Sequence, residues 1–305
     1  MRENGSRFWE ALIDPAQRPF AVELDSPAGP DVTKFMAGAR ELREHGCELV
    51  TVADCPMGRV RADAGIMACK LRRELGMESL PHMSCRDRNW IAVQSLLFAF
   101  VAEGVENMLL VPGDAVPPEY REEAHGVYHF NSRELLRRVR ELGLPLRLFA
   151  ALNVNARNFD VELRLAREKE EAGAVGFLTQ PVLTRQALDN LYLAREALSG
   201  KLLGGIMPIV SQRNALFLMR EVHGVVVDEA LVKRYEGADR ERGEEIALEL
   251  SVGFARDMRD TVDGYYLMTP FGRTGLICRI MDGIRAELHP PVGADALGGP
   301  CGTSS

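Results

Sequence analysis

The stretch "PHMSCRDRNW" (81–90) crowds a His, a Cys, two Arg, an Asp and an Asn into what should be a single strand-to-helix joint. His82 and Cys85 form an H-x-x-C pair, to which Asp54, Asp114 and Glu23 could add oxygen ligands. Zinc sites usually show a second close pair of ligands, and none follows, so the pattern argues against a metal. Cys85 beside Arg86 and Arg88 could be an activated thiol. A cysteine at a strand end is more often a small buried filler, which is the expectation here. Paired carboxylates such as Glu23 and Asp114 could do acid–base work if an apolar setting kept one of them protonated. The competing reading is a rim salt bridge with Arg59, Arg61 or Arg86.

The elements that must position these groups alternate in type along the chain. Strand candidates are "FAVELD" (20–25), "ELVTVAD" (48–54), "ESLPHMSC" (78–85), "ENMLLVPGD" (106–114), "LRLFAALN" (146–153), "AVGFLTQ" (174–180), "KLLGGIMPI" (201–209) and "GYYLMTPF" (264–271). Between them run segments such as "TKFMAGARELREHG" and "FDVELRLAREKEEAG", with apolar residues at helical spacing and a closing Gly. The strands read as nearly continuous apolar runs, as parallel strands buried on both faces should. Eight strand–helix units predict an α/β fold, a single (β/α)8 TIM barrel over residues 1–288. An open Rossmann sheet is the alternative, but no G-x-G-x-x-G follows the first strand. The charge-rich segment 226–262 predicts extra helix before the last strand, and the Pro/Gly/Ser-rich stretch 289–305 predicts a flexible tail.

In such a barrel, chemistry sits at the C-terminal ends of the strands. Those ends carry Glu23 and Asp25, Asp54, His82 and Cys85, Asp114, Asn153 and Asn155, and Gln180. Buried polar groups are costly unless paired or used. One would mean little; a ring of them marks a site.

Composition narrows the function. The net charge of −7 is spread over mixed Arg/Glu faces, which argues against a nucleic-acid or anionic-membrane surface. The six cysteines show no C-x-x-C, so reduced thiols are expected. The N-terminal "MRENGSRFWEAL" lacks a signal-peptide core. The longest apolar run, "WIAVQSLLFAFVAEGV", stops short of a membrane span. The expectation is a cytoplasmic protein.

Taken together, "VELD", "ADCPMGRVR", "PHMSCRDRN", "PGD", "KEEAGAVGFLTQP" and "GIMPIVS" resemble, in order, the methylenetetrahydrofolate reductases, over about residues 20–288. The resemblance is to the short bacterial and acetogen-like type, and to the reductase module fused to homocysteine methyltransferases. It implies a barrel that binds flavin and reduces 5,10-methylenetetrahydrofolate to 5-methyltetrahydrofolate. FAD is the more usual flavin of the family, with FMN as the alternative. By resemblance, Glu23 stands where the general acid does, and Asp114 matches the carboxylate near pterin and flavin. Gln180 matches the amide that bonds the pterin. His82, Asp54, Ser132, Asn153 and Lys169 stand at cofactor-side positions, with Lys169 near the flavin phosphate and Ser132 on the loop after the fourth strand. The family also implies NAD(P)H, or a metal-containing electron-transfer partner subunit, as electron donor, and an oligomer. The chain departs from the better-known members at Pro112, and in "AALNVNARNFD", which lacks a Tyr and a His. A folate-binding methyltransferase barrel without flavin is the alternative function.

The opening stretch divides under this reading. His82 and Cys85 end a strand, and Asp87 or Asn89 is the expected cap of a helix starting near Trp90. The two Arg are expected to tie rim loops together through carboxylates.

Overall fold

The computed structural model describes residues 6–222 and 224–288. The tail expected at 289–305 lies outside the described residues. After a short helix α1 (Arg7–Ile13), eight strands alternate with helices: β1 (Phe20–Leu24), α2 (Thr33–Glu44), β2 (Leu49–Val52), α3 (Ala64–Leu75), β3 (Glu78–Ser84), α4 (Trp90–Ala102), β4 (Asn107–Val111) and α5 (Ser132–Glu141). The second half holds β5 (Arg147–Leu152), α6 (Phe159–Glu171), β6 (Ala174–Pro181), α7 (Arg185–Ala197), β7 (Lys201–Ile206), α8 (Gln212–Glu221), α9 (Glu229–Lys233), α10 (Arg240–Met258), β8 (Gly264–Met268) and α11 (Thr274–Leu288). The strands are parallel and close in sequence order, with β8 pairing β1, so the fold is a (β/α)8 TIM barrel.

The period of two within each strand decides what faces where. Ala21, Leu49, Leu80, Leu109, Phe149, Leu178, Leu203 and Tyr266 point inward and fill the barrel. Their neighbours Val22, Val50, Leu110, Ala150, Leu202 and Leu267 point outward and meet the helices. Two residues further along, the inward positions are Glu23, Thr51, His82, Val111, Ala151, Gln180 and Gly205. The same alternation that packs the core therefore sets a polar layer at the mouth.

Helix starts are marked by short polar side chains. Asp63, Asn89, Asn131, Asn158, Thr184, Ser211 and Asp239 each accept a backbone N–H in the first turn of the helix they precede. The expected extra helix between β7 and β8 is present as α9 and α10, and together with α8 it forms a satellite core around Leu218, Leu231, Tyr235 and Ile246.

Helix α1 is an element the sequence pattern does not reveal. Phe8 and Leu12 join the inward cluster and close the barrel from below. Glu78 receives the helix start: its carboxylate accepts from Ser6 Oγ, and its Oε1 from the N–H groups of Arg7 at 2.6 Å and Phe8 at 3.3 Å. An anion at a helix N-terminus is stabilising. Among the described residues, no helix is long and apolar enough to cross a membrane.

Candidate active site at the barrel mouth

Glu23 is the centre of the polar layer. It stands opposite Thr51 on one side and Met268 on the other in the strand register. Its Oε2 accepts a hydrogen bond from the Tyr266 hydroxyl, and His82 Nε2 lies 3.8 Å from the same oxygen. Burial pushes the pKa of Glu23 up to about 7, against the lowering effect of the Tyr266 bond, and the Asp25 charge adds to the rise. Burial pushes His82 the other way, down to about 4, with the Asp54 charge opposing. The Tyr266 hydroxyl is held far above its ordinary range by burial and by the neighbouring Glu23. In water an imidazole takes the proton from a carboxylic acid. Here desolvation reverses that order, so near neutral pH the imidazole is neutral and the carboxyl is the group that can carry the proton.

His82 Nε2 is buried and has no hydrogen-bond partner among the described residues. Elsewhere in the layer the residues are small, since Ala151 and Gly205 are the inward positions of β5 and β7. A side chain at Gly205 would strike the carbonyl oxygens of Thr179 and Gln180 at 2.6 and 2.8 Å. These small residues leave room for the face of a flat heterocycle, and Glu23, His82 and Gln180 are polar groups of the same layer.

Asp114 reaches the rim from the loop after β4. Gly113 makes the turn possible: its φ is +86°, and a Cβ there would lie 2.7 Å from Ser84 Cβ. Asp114 is exposed, and its Oδ2 accepts from the Met57 N–H at 2.6 Å. Its carbonyl accepts from Arg86. The loops after β2 and β4 are pressed together here, because a Cβ on Gly58 would sit 2.4 Å from the Ala115 carbonyl.

The cofactor-side positions differ in what their polar groups already hold. Asp54 Oδ2 accepts from Ser84 N at 3.0 Å, Ser84 Oγ at 2.8 Å and Arg88 at 2.6 Å. Burial is the strongest single influence and raises its pKa, but Arg88 and the Ser84 bonds together outweigh it and hold the carboxyl below its ordinary value. Lys169 Nζ donates to the Ala151 carbonyl at 2.7 Å and sits 3.7 Å from Glu162. Burial lowers its pKa, with Glu162 opposing. Ser132 is not on a loop but is the first residue of α5, buried behind the capping Asn131. Asn153 Oδ1 accepts from the Asn155 N–H at 3.0 Å. Asn155 in turn donates to the carbonyls of Pro181 at 3.0 Å and Gly224 at 2.9 Å, fastening the loop after α8 over the end of β6. Gln180 and Asn153 both abut Gly224, so this loop forms one wall of the site.

The stretch 81–90 is now divided by geometry. Cys85 is fully buried among the outer core, and burial raises its pKa to about 12. Asn89 caps α4 through Ala92 N. Asp87 adopts φ +65° and pairs with Val127, while Arg86 and Arg88 tie in Asp114 and Asp54. Among the described residues, no group of three His, Cys, Asp or Glu could hold a metal ion.

Tyr266 is the site residue that sequence reasoning missed. "GYYLM" holds two tyrosines, and only the parity of the strand separates the inward Tyr266 from Tyr265, whose hydroxyl bonds the Ala255 carbonyl outside the barrel. Counting inward positions from Glu23 and its partner Met268 would have found it.

The family model described as methylenetetrahydrofolate reductase matches residues 9–284. Comparison with curated proteins gives no match. Among solved structures, an uncharacterized protein from Clostridium thermocellum that binds two copies of 5-methyl-5,6,7,8-tetrahydrofolic acid superposes with a TM-score of 0.66 at 11% identity, covering 92% of this chain and 99% of its own. A 2,3-dimethylmalate lyase of the PEP mutase/isocitrate lyase superfamily superposes with a TM-score of 0.51 at 11% identity, over 92% of this chain and 84% of that one. At such identities these likenesses concern the fold alone.

Proposed function

The chain belongs to the methylenetetrahydrofolate reductase family, and on that premise we propose that it reduces 5,10-methylenetetrahydrofolate to 5-methyltetrahydrofolate. The observation that carries the reading is Glu23: a carboxyl buried at the barrel mouth, bonded by Tyr266, with a pKa raised to about 7. A carboxyl kept protonated near neutral pH is a general acid. In this role it gives its proton to the amine nitrogen that leaves as the five-membered ring of the folate opens. The resulting iminium carbon is then electrophilic enough to accept a hydride. The barrel of residues 1–288 acts as one reductase unit, with Gln180 bonding the pterin and Asp114 stabilising positive charge on it.

A flavin, FAD or FMN, would supply the hydride when bound. His82 would stand on its side of the site, and Asn153 beside it. Asp54 would act through the frame it makes with Ser84 and Arg88. Lys169, whose ammonium is engaged inside the chain, would need to exchange that contact to reach a phosphate, and Ser132 would need to be uncovered. The electron donor is NAD(P)H or a metal-containing partner subunit, and the protein works in the cytoplasm as an oligomer. The second reading, a folate-binding methyltransferase-type barrel, draws support from the neighbour that binds methyltetrahydrofolate and from the engaged ammonium of Lys169.

Anaerobic purification followed by release and chromatography of bound flavin separates the two. The reductase reading expects FAD or FMN, together with folate-dependent reoxidation of the reduced protein. Folate binding with neither flavin nor hydride transfer from any donor would favour the methyltransferase reading.

A further inference from the structure

Glu23 and His82 come from different strands, β1 and β3, yet both point into the barrel at the same level. Tyr266 already donates to Glu23 Oε2. His82 Nε2 faces the same oxygen from 3.8 Å, is buried, and has no partner among the described residues. A buried imidazole nitrogen without a partner costs free energy comparable to a lost hydrogen bond. Among the described residues, the ionisable group placed against it is the carboxyl of Glu23. At 3.8 Å the pair is roughly 1 Å beyond bonding distance, and between these two groups only a protonated carboxyl can donate to a bare imidazole nitrogen.

We propose that His82 is the positioning residue for the catalytic proton: its neutral Nε2 accepts a hydrogen bond from the protonated Glu23 carboxyl, and so keeps the acid loaded until folate arrives. The proposal deepens the reading of Glu23 as the acid and rests on it. The bond exists in one protonation state only. When Glu23 is a carboxylate, the imidazole lone pair faces a negative oxygen, so loss of the proton costs the contact as well. Tyr266 cannot play this part, because as a donor to Oε2 it favours the carboxylate. His82 acts through Glu23 rather than on substrate.

The charged and titratable groups around the pair are few. Asp25 lies beyond Glu23 on β1 and works in the same direction, itself moderated by Arg61. Asp54 faces His82 from the end of β2, but is tied to Arg88 and Ser84. Tyr266 on β8 completes the set. None of these supplies an acceptor for the Glu23 proton in the structure.

The test compares wild type with His82→Phe, which keeps the site dry and removes the acceptor, and with His82→Gln, which keeps an amide oxygen as acceptor. Infrared titration of the carbonyl band of the protonated carboxyl, assigned by its loss in Glu23→Gln, reads the proton directly without folate. In His82→Phe the titration should move to lower pH by about one unit, a tenfold loss of proton affinity, and His82→Gln should recover part of it. The alkaline limb of kcat for folate reduction should move with it, while KM for folate stays within about twofold. An unmoved band, or one moved to higher pH, overturns the proposal, the latter because it would mean that Nε2 is a donor. Calorimetric binding of 5-methyltetrahydrofolate tests the functional reading separately. Without binding or turnover that reading falls, while the infrared result still decides where His82 holds the proton.

Discussion

The behaviour of Glu23 follows from removing a carboxyl from water without giving it a cation. Among the described residues no Lys or Arg contacts it; its neighbours are a phenol, an imidazole made neutral by burial, and the charge of Asp25. Glu23→Gln should therefore abolish folate reduction, a loss of about a hundredfold or more in kcat, with 5-methyltetrahydrofolate still bound; turnover near the wild-type rate would remove Glu23 as the acid. The same shift has a thermodynamic face. Because the folded pKa of about 7 exceeds the ordinary 4.5, the folded state holds the Glu23 proton more tightly. The stability gained from it is complete below about pH 4.5 and is lost as the pH rises to about 7. At pH 8 a charged Glu23 then costs up to about 3 kcal/mol. Glu23→Gln should raise Tm at pH 8 and change it little at pH 4, which thermal scans at the two pH values will read.

At the scale of elements, the loops that build the mouth are held by short polar ties. Asp54 and Arg88 are mostly buried, with side chains 6% and 17% exposed. Asp54→Ala would leave Arg88 with Ser84 and, as its charged partner, the more distant Asp63, and should cost about 3 kcal/mol, whereas replacing the pair by Leu and Met should cost much less. Denaturant unfolding of both variants makes that comparison. Gly113 is a second tie, of a steric kind. Its left-handed φ and the 2.7 Å approach to Ser84 leave no room for a methyl group. Gly113→Ala should cost about 2–4 kcal/mol and displace Asp114, lowering folate turnover by more than the stability loss explains.

At the scale of the whole molecule, two additions to the strand–helix repeat stand out: the satellite core of α8, α9 and α10, and helix α1. Helix α1 seals the end of the barrel opposite the site, with Phe8 fully buried and Glu78 receiving the helix start. A barrel interior is packed core rather than pore, so the plug stabilises the strands beneath the polar layer. Phe8→Ala should cost about 3–5 kcal/mol, while the pH dependence of the active site stays unchanged. A shifted alkaline limb in that variant would mean that the plug and the mouth are coupled.

The sequence by itself determined the repeat, the strand cores and the strand ends. Runs such as "FAVEL" and "LFAAL" can be buried on both faces only as parallel strands, and eight of them with intervening helices close a barrel. It also pointed to several of the residues at the mouth, Glu23, His82 and Gln180 among them, because strand polarity is local. What it could not separate was parity and partnership. Tyr265 and Tyr266 are adjacent and identical in type, and only closure of β8 onto β1 turns one toward Glu23 and the other toward α10. The resemblance set Lys169 near a flavin phosphate, while the fold carries its ammonium back to β5 and Glu162. Helix α1 is too short for any periodicity to reveal, and exists because the barrel offers it an apolar floor and a carboxylate. The ring of polar residues was legible along the chain. Which of them would be left without a partner was decided by long-range contacts that only the closed barrel makes.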